Sequence, residues 1–271
     1  VGLMFQDYAL FPHLTVHDNV CFGIARTAGT DAWVRSALAR MGLAAWERAY
    51  PHTLSGGQQQ RCALLRALAP HPDILLLDEP FSGLDVALRA QVREETASFL
   101  RETGIATLVV THDPEEAMGL ADRILVMRDG VVVQEGTPAD IYLRPRDPFV
   151  ATLFGPVNQW TAAVAGGEVA TPIGRFAAPG LAEGDAATVL IRPEAVSLAP
   201  AGDGSVDALP AAADAVVLDS RLLGGQSAVT VACDAGGWRL RALVAGVFLP
   251  APGTRVTVAA DPARAFVYPA G

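Results

Sequence analysis

Four apolar residues in unbroken succession, Ile74-Leu75-Leu76-Leu77, end on two acids, Asp78 and Glu79, and then Pro80. A short, wholly apolar run predicts a buried parallel strand that delivers its carboxylates to the C-terminal edge of a sheet. Ile105 to Thr111 repeats the pattern and ends on His112, and Val1 to Phe5 reads as the end of a third strand, followed by Gln6. Helical periodicity lies between these runs. Asn19 to Glu47 carries apolar positions at Val34, Leu38, Met41 and Leu43 with a stop at Gly42; Gln58 to Leu68 and Val86 to Thr103 are further helices, the last closed by Gly104. Asp113 caps a short helix from Pro114 to Ala121. Arg123 to Met127 and Val131 to Gln134 flank Asp129-Gly130, a strong hairpin signal, and Thr137 opens a last helix ending near Leu143.

Two prolines in Arg144-Pro145-Arg146-Asp147-Pro148 mark an exit, and beyond Gly155 the texture changes. Short β-rich runs follow: Trp160 to Val164, Thr188 to Ile191, Ala215 to Leu218, Val229 to Ala232, Trp238 to Leu243 and Arg255 to Ala259. Gly, Pro and Asp punctuate them, as in a small all-β barrel. The expected organisation is an α/β domain over residues 1–154 and a barrel over residues 155–271.

Composition narrows the function. A formal charge of -9 argues against general nucleic-acid binding. No apolar run approaches the ~18 residues of a membrane span, so membrane association is expected only through a partner protein. The three cysteines, Cys21, Cys62 and Cys233, stand far apart in patterns that match no metal spacing, and read as reduced, packed thiols. Every basic side chain among the 271 residues is arginine; there is no lysine.

The chemistry concentrates in Leu54-Ser55-Gly56-Gly57-Gln58 and in the strand ending at Asp78-Glu79. The first places a serine and two glycines before a helix whose free N–H groups can meet an anion. The second offers a carboxylate pair for a phosphate-bound metal and a base. These two motifs resemble the signature motif and Walker B strand of ABC-transporter ATPase subunits. The region after Gly155, with Leu190-Ile191-Arg192-Pro193-Glu194 and Asp261-Pro262-Ala263-Arg264-Ala265, resembles the TOBE domain that follows importer ATPases of the ferric-iron, polyamine and sugar branch.

The resemblance implies a P-loop NTPase fold followed by an OB-like barrel, with ATP and Mg²⁺ as cofactors. It implies Glu79 as general base and His112 as the switch histidine. Asp78 and Gln6 would reach the metal, and Gln6, Ser55, Gly56, Gly57 and Gln58 the nucleotide. Asp85, in Pro80-Phe81-Ser82-Gly83-Leu84-Asp85, resembles the D-loop aspartate at a contact with a second ATPase subunit, although it could equally cap the next helix. Tyr8, Leu10 and Phe11 fall where such subunits receive a helix of the permease, the other reading being a loop folded onto its own domain. His52 reads as a turn residue.

The implied whole is the ATP-hydrolysing subunit of an importer, a homodimer held peripherally on the cytoplasmic face of the inner membrane by permease subunits. An extracytoplasmic solute-binding protein would be an indirect partner, and ferric iron is the solute toward which details such as Thr171-Pro172-Ile173-Gly174 lean. The phosphate cradle of these enzymes, Gly-x-x-x-x-Gly-Lys-Ser/Thr, needs a lysine, and none is present. The expectation is therefore a chain truncated before the Q-loop and inactive alone. The alternative is a non-catalytic interaction module that binds no ATP itself.

Overall fold

The computed structural model describes residues 1–201, 212–233 and 237–270, the side chains of 86–88 and 212 apart. The chain divides into two compact units, Val1–Ile124 and Leu125–Gly271.

The first unit runs β1 (Gly2–Met4), α1 (Val16–Val20), α2 (Ala28–Arg40), α3 (Gly56–Leu68), β2 (Ile74–Asp78), α4 (Val86–Thr103), β3 (Ala106–Val110) and α5 (Pro114–Leu120). Its sheet has the order β1-β2-β3, with both neighbours parallel to β2. Leu75 and Leu77 point into a core shared with Met4, Leu38, Leu64, Leu65 and Leu68. The opposite face departs from expectation. Ile74 is 45% exposed, Leu108 52% and Val110 54%, so β2 is buried on one face only and β3 half-buried on one. Strand residues alternate between faces, and in this unit the apolar cluster gathers on the Leu75 and Leu77 side.

The expected long helix from Asn19 to Glu47 is divided. Asn19 turns its buried amide onto the carbonyls of Phe11, Leu14 and Thr15, and Thr27 caps a new helix by accepting from Thr30 N. Cap geometry agrees with the sequence elsewhere: Asp113 Oδ1 accepts from the amides of Glu115 and Glu116 ahead of α5.

The second unit opens with the hairpin of β4 (Ile124–Arg128) and β5 (Val131–Gly136). Asp129 and Gly130 both have positive φ, +51° and +78°, as a tight two-residue turn requires. Helices α6 (Pro138–Leu143) and α7 (Pro148–Leu153) follow. Among the described residues ten strands follow: β6 (Asn158–Ala165), β7 (Glu168–Thr171), β8 (Gly174–Ala177), β9 (Ala186–Ile191), β10 (Val196–Pro200), β11 (Ala212–Leu223), β12 (Gln226–Cys233), β13 (Arg239–Ala245), β14 (Arg255–Ala260) and β15 (Ala265–Pro269). They form two antiparallel sheets, β15-β9-β6-β7-β8 and β10-β14-β11-β12-β13. One apolar cluster, including Trp160, Phe176, Val189, Val217, Val231, Leu240 and Val258, draws on both. Strict alternation in β12 puts Val229 and Val231 inside, as its period of two dictates.

Helices α6 and α7 belong to this unit through Arg192, which donates to the carbonyls of Tyr142 (2.6 Å) and Ala151 (3.2 Å). Tyr268 Oη likewise donates to Pro145 O at 2.8 Å. The contact boundary at Ile124 thus lies ahead of the change in texture near Gly155.

Candidate functional site

Because β1, β2 and β3 are parallel and in register (Met4 beside Leu77, Asp78 beside Val110), their C-terminal ends share one edge. The residues just beyond those ends meet there. Gln6 Nε2 donates to Glu79 Oε2 at 2.9 Å, and His112 Nδ1 lies 3.0 Å from Glu79 Oε1. An ionised carboxylate can only accept, so both neighbours orient Glu79 as an acceptor.

The backbone of Glu79 is held as firmly as its side chain. Its φ is +43°, a region that non-glycine residues rarely adopt without compensating contacts. Glu79 N donates to Val110 O (2.9 Å), and its carbonyl accepts from Ser82 N (3.2 Å) and Ser82 Oγ (3.0 Å). The Glu79 side chain is 25% exposed and that of His112 75%, so the carboxylate is sheltered and the imidazole opens outward. Asp78, the last residue of β2, is exposed at the same edge.

Ser55 caps α3 in a reciprocal box: its Oγ accepts from Gln58 N (3.4 Å), and Gln58 Oε1 accepts from Ser55 N (2.9 Å). A Cβ at Gly56 would stand 3.3 Å from Leu84 Cδ2 and 3.6 Å from Gly83 O, so a side chain there would press on the Pro80–Asp85 turn. Gly57 is buried. Among the described residues no hydrogen bond joins Ser55–Gln58 to Gln6, Glu79 or His112. Asp85 is exposed, and its carbonyl accepts from Arg89 N at the start of α4. His52 sits in a 3₁₀ turn, Pro51–Thr53.

The segment after Gln6 corrects one expectation. Tyr8, which the resemblance places at a permease-facing surface, folds onto its own domain: it is only 6% accessible, its ring lies in the core and a Cβ at Gly83 would meet its hydroxyl at 3.1 Å. Burial pushes the Tyr8 phenol up, Arg89 opposing and Glu116 adding to the shift. Leu10 and Phe11 are half-buried, whereas Phe5 and Phe22 are exposed.

Two residues that sequence reasoning passed over shape this loop. Arg66 donates to the carbonyls of Ala9 (2.7 Å) and Tyr8 (2.8 Å) and lies over the Phe11 ring. Asn19 accepts from Phe11 N at 2.8 Å while donating to three carbonyls. A polar residue amid apolar helix positions was the available signal for each.

Oxygen donors at the end of β2 and on Gln6 suit a hard divalent cation. The 20 residues of the lysine and arginine class among the 271 are all arginine.

Residues 1–82 match the sequence family described as ABC transporter, and residues 189–267 match the TOBE domain. The Fe(3+) ions import ATP-binding protein FbpC of Mesorhizobium japonicum is 40% identical over 235 residues, 85% of this chain and 65% of the relative. The sulfate/thiosulfate import ATP-binding protein CysA 2 of Chromobacterium violaceum is 47% identical over 204 residues, 73% of this chain and 56% of the relative. The spermidine/putrescine import ATP-binding protein PotA of Mesorhizobium japonicum is 43% identical over 211 residues, 73% and 58%. The chain thus spans between 56% and 65% of the length of these relatives.

Proposed function

From the premise that the chain carries an ABC transporter ATPase segment and a TOBE domain, we propose that it serves as the ATP-hydrolysing subunit of a solute importer. One observation carries the reading: Gln6, Glu79 and His112, from the ends of three different strands, converge on a single carboxylate. Asp78 and Gln6 would hold Mg²⁺, which would neutralise charge on the phosphates. Glu79 orients the attacking water and takes its proton, the role that its two hydrogen-bonding neighbours and pinned backbone favour. His112, open to solvent, reads the terminal phosphate. Ser55, Gly56 and Gly57 present a hydroxyl and helix-end amides to the nucleotide of a second subunit, with Asp85 at the contact between them.

Leu10 and Phe11 form the permease-facing surface, together with exposed Phe22, and the subunit lies peripherally at the membrane through that contact. No described helix is long and apolar enough to cross a membrane. The relatives differ in the solute their names give, which fits a subunit whose own residues never touch the solute. We take ferric iron as the solute because the Fe(3+) relative aligns over the larger share of both chains.

The test is a chimera in which the N-terminal segment of that relative precedes Val1. Glu79→Gln in it is expected to leave binding of a fluorescent ATP analogue unchanged and to cut turnover by ~10² or more. Near-normal hydrolysis would remove Glu79 from the role of base. The alternative reading is a module that supplies Ser55–Gln58 and the barrel but holds no ATP itself. A chimera that binds no nucleotide would favour that module.

A further inference from the structure

His17, Cys21 and Asp31 have no part in the reaction above, yet they converge in the first unit with their ligand atoms all within 4.8 Å of one another. His17 and Cys21 stand four residues apart, a spacing that puts both on one face of a helical turn. Cys21 N donates to His17 O at 2.9 Å and fixes that spacing. The Cys21 sulfur lies 3.7 Å from His17 Nδ1 and 3.9 Å from Nε2. Asp31, in the first turn of α2, brings Oδ1 to 3.6 Å from Nε2. Glu47 Oε1 is 4.0 Å from the same nitrogen, and its backbone carbonyl accepts from His17 N at 3.0 Å, so this segment too is tied to the imidazole.

Tetrahedral zinc with sulfur, nitrogen and oxygen ligands needs ligand-to-ligand separations of about 3.3–3.6 Å. Measured from His17 Nε2, the separations to the Cys21 sulfur (3.9 Å) and Asp31 Oδ1 (3.6 Å) exceed those by a few tenths of an ångström, and with all three ligand atoms within 4.8 Å of one another, closure onto a metal needs a rotamer adjustment at Cys21 or Asp31. Cys21 is 3% exposed and the His17 side chain 15%, while Asp31 is 45% exposed, which gives a sheltered pair with an open entrance.

An imidazolium caged by carboxylates is the competing account, since Asp18 Oδ1 is also 4.0 Å from Nδ1. Two of those acids have other cations: Arg26 pairs with Asp18, and Arg35 Nε lies 3.2 Å from Glu47. The cage accounts for the acids and a thiol–imidazole hydrogen bond for Cys21, whereas a bound metal accounts for all of them at once. Imidazole, thiol and carboxylate together suit borderline transition metals more than Mg²⁺ or Ca²⁺.

We propose that His17, Cys21 and Asp31 bind a transition-metal cation of the Zn²⁺ class, with Glu47 in reach of the fourth position. The site stands independently of the ATPase reading. The metal would staple α1 and α2 together, two elements joined by a stretch without regular structure.

Titrating the 271-residue protein with Co²⁺ tests it. One Co²⁺ per chain should bring tetrahedral visible bands and a thiolate-to-cobalt charge-transfer band, both displaced by Zn²⁺. Cys21→Ser should abolish the charge-transfer band. Asp31→Asn is isosteric at a half-buried first-turn position, so folding should survive. It should weaken Co²⁺ by at least the 10- to 100-fold typical of even an outer-shell partner, about 1.4 kcal/mol per tenfold. A wild-type spectrum without a thiolate band, a band that survives Cys21→Ser, or unchanged affinity in Asp31→Asn would overturn the proposal.

Discussion

Arg192 is only 6% exposed, and its surroundings explain how a guanidinium is kept inside. Its carbon lies 3.8 Å from the Tyr142 ring centroid and 5.0 Å from that of Phe266, and its nitrogens serve two backbone carbonyls. Burial pushes this guanidinium down from its usual range, with Tyr142, Glu194 and Tyr268 opposing. Tyr142 in turn donates to Glu194. Arg192→Ala would strand both carbonyls and remove the stacked cation, at a cost of about 3 kcal/mol. Urea unfolding of the full chain should show that loss, and a change under 1 kcal/mol would mean that Arg192 is not the clamp. The motif Leu190–Glu194 was visible in the sequence, but the clamp was not, because Tyr142 and Ala151 are brought to Arg192 only by the fold. Glu79 shows the same split. Its place at a strand end was readable from four preceding apolar residues, whereas its bonds to Gln6 and His112 depend on three strands sharing a register.

At the scale of elements, the loop after Gln6 is the instructive case. A dense apolar stretch was legible, but which side chains turn inward was not, since that choice is made by Asn19 and Arg66 from other elements. Tyr8 and Ala9 take positive φ, +61° and +42°, a conformation stabilised by the Arg66 guanidinium on their carbonyls. Phe11 stays at the surface, its ring 4.2 Å from that of Phe22. In the chimera, Phe11→Asp should spare hydrolysis in solution and abolish stimulation by permease subunits in vesicles. Phe22→Asp, at a side chain with less packing to lose, should act the same way. Normal coupling in both variants would place the permease contact elsewhere. The strand and hairpin pattern of the second unit was largely readable because alternation and turn residues coincide there. The short strands β7, β8, β10 and β15, four or five residues each, left too little pattern to register.

Across the whole molecule, sheet topology separates the two units more sharply than composition does. The α/β class was legible from buried runs alternating with helices. The open face of β1-β2-β3 was not, because a run of leucines looks alike whether one face or both are covered. Each strand pair of that parallel sheet joins segments distant in sequence, whereas the antiparallel pair combines distant partners, such as Val196 with Ala260 and Ala265 with Ile191, with local hairpins. Gly2 pairs with Leu75 and Ile74 with Ala106, whereas Ala165 pairs with Glu168, Thr171 with Gly174 and Leu223 with Gln226. Closing a long loop costs entropy before any contact rewards it, so local hairpins form sooner. Refolding should therefore run from the C-terminal unit toward the N-terminal one. In pulsed hydrogen exchange, amides of Val229 and Val231 should gain protection before those of Leu75 and Leu77, and simultaneous protection would refute this order. During synthesis the ribosome releases the units in the opposite sequence, so the parallel sheet leaves first and ripens last, its leucine-rich strands open to chaperones through that interval.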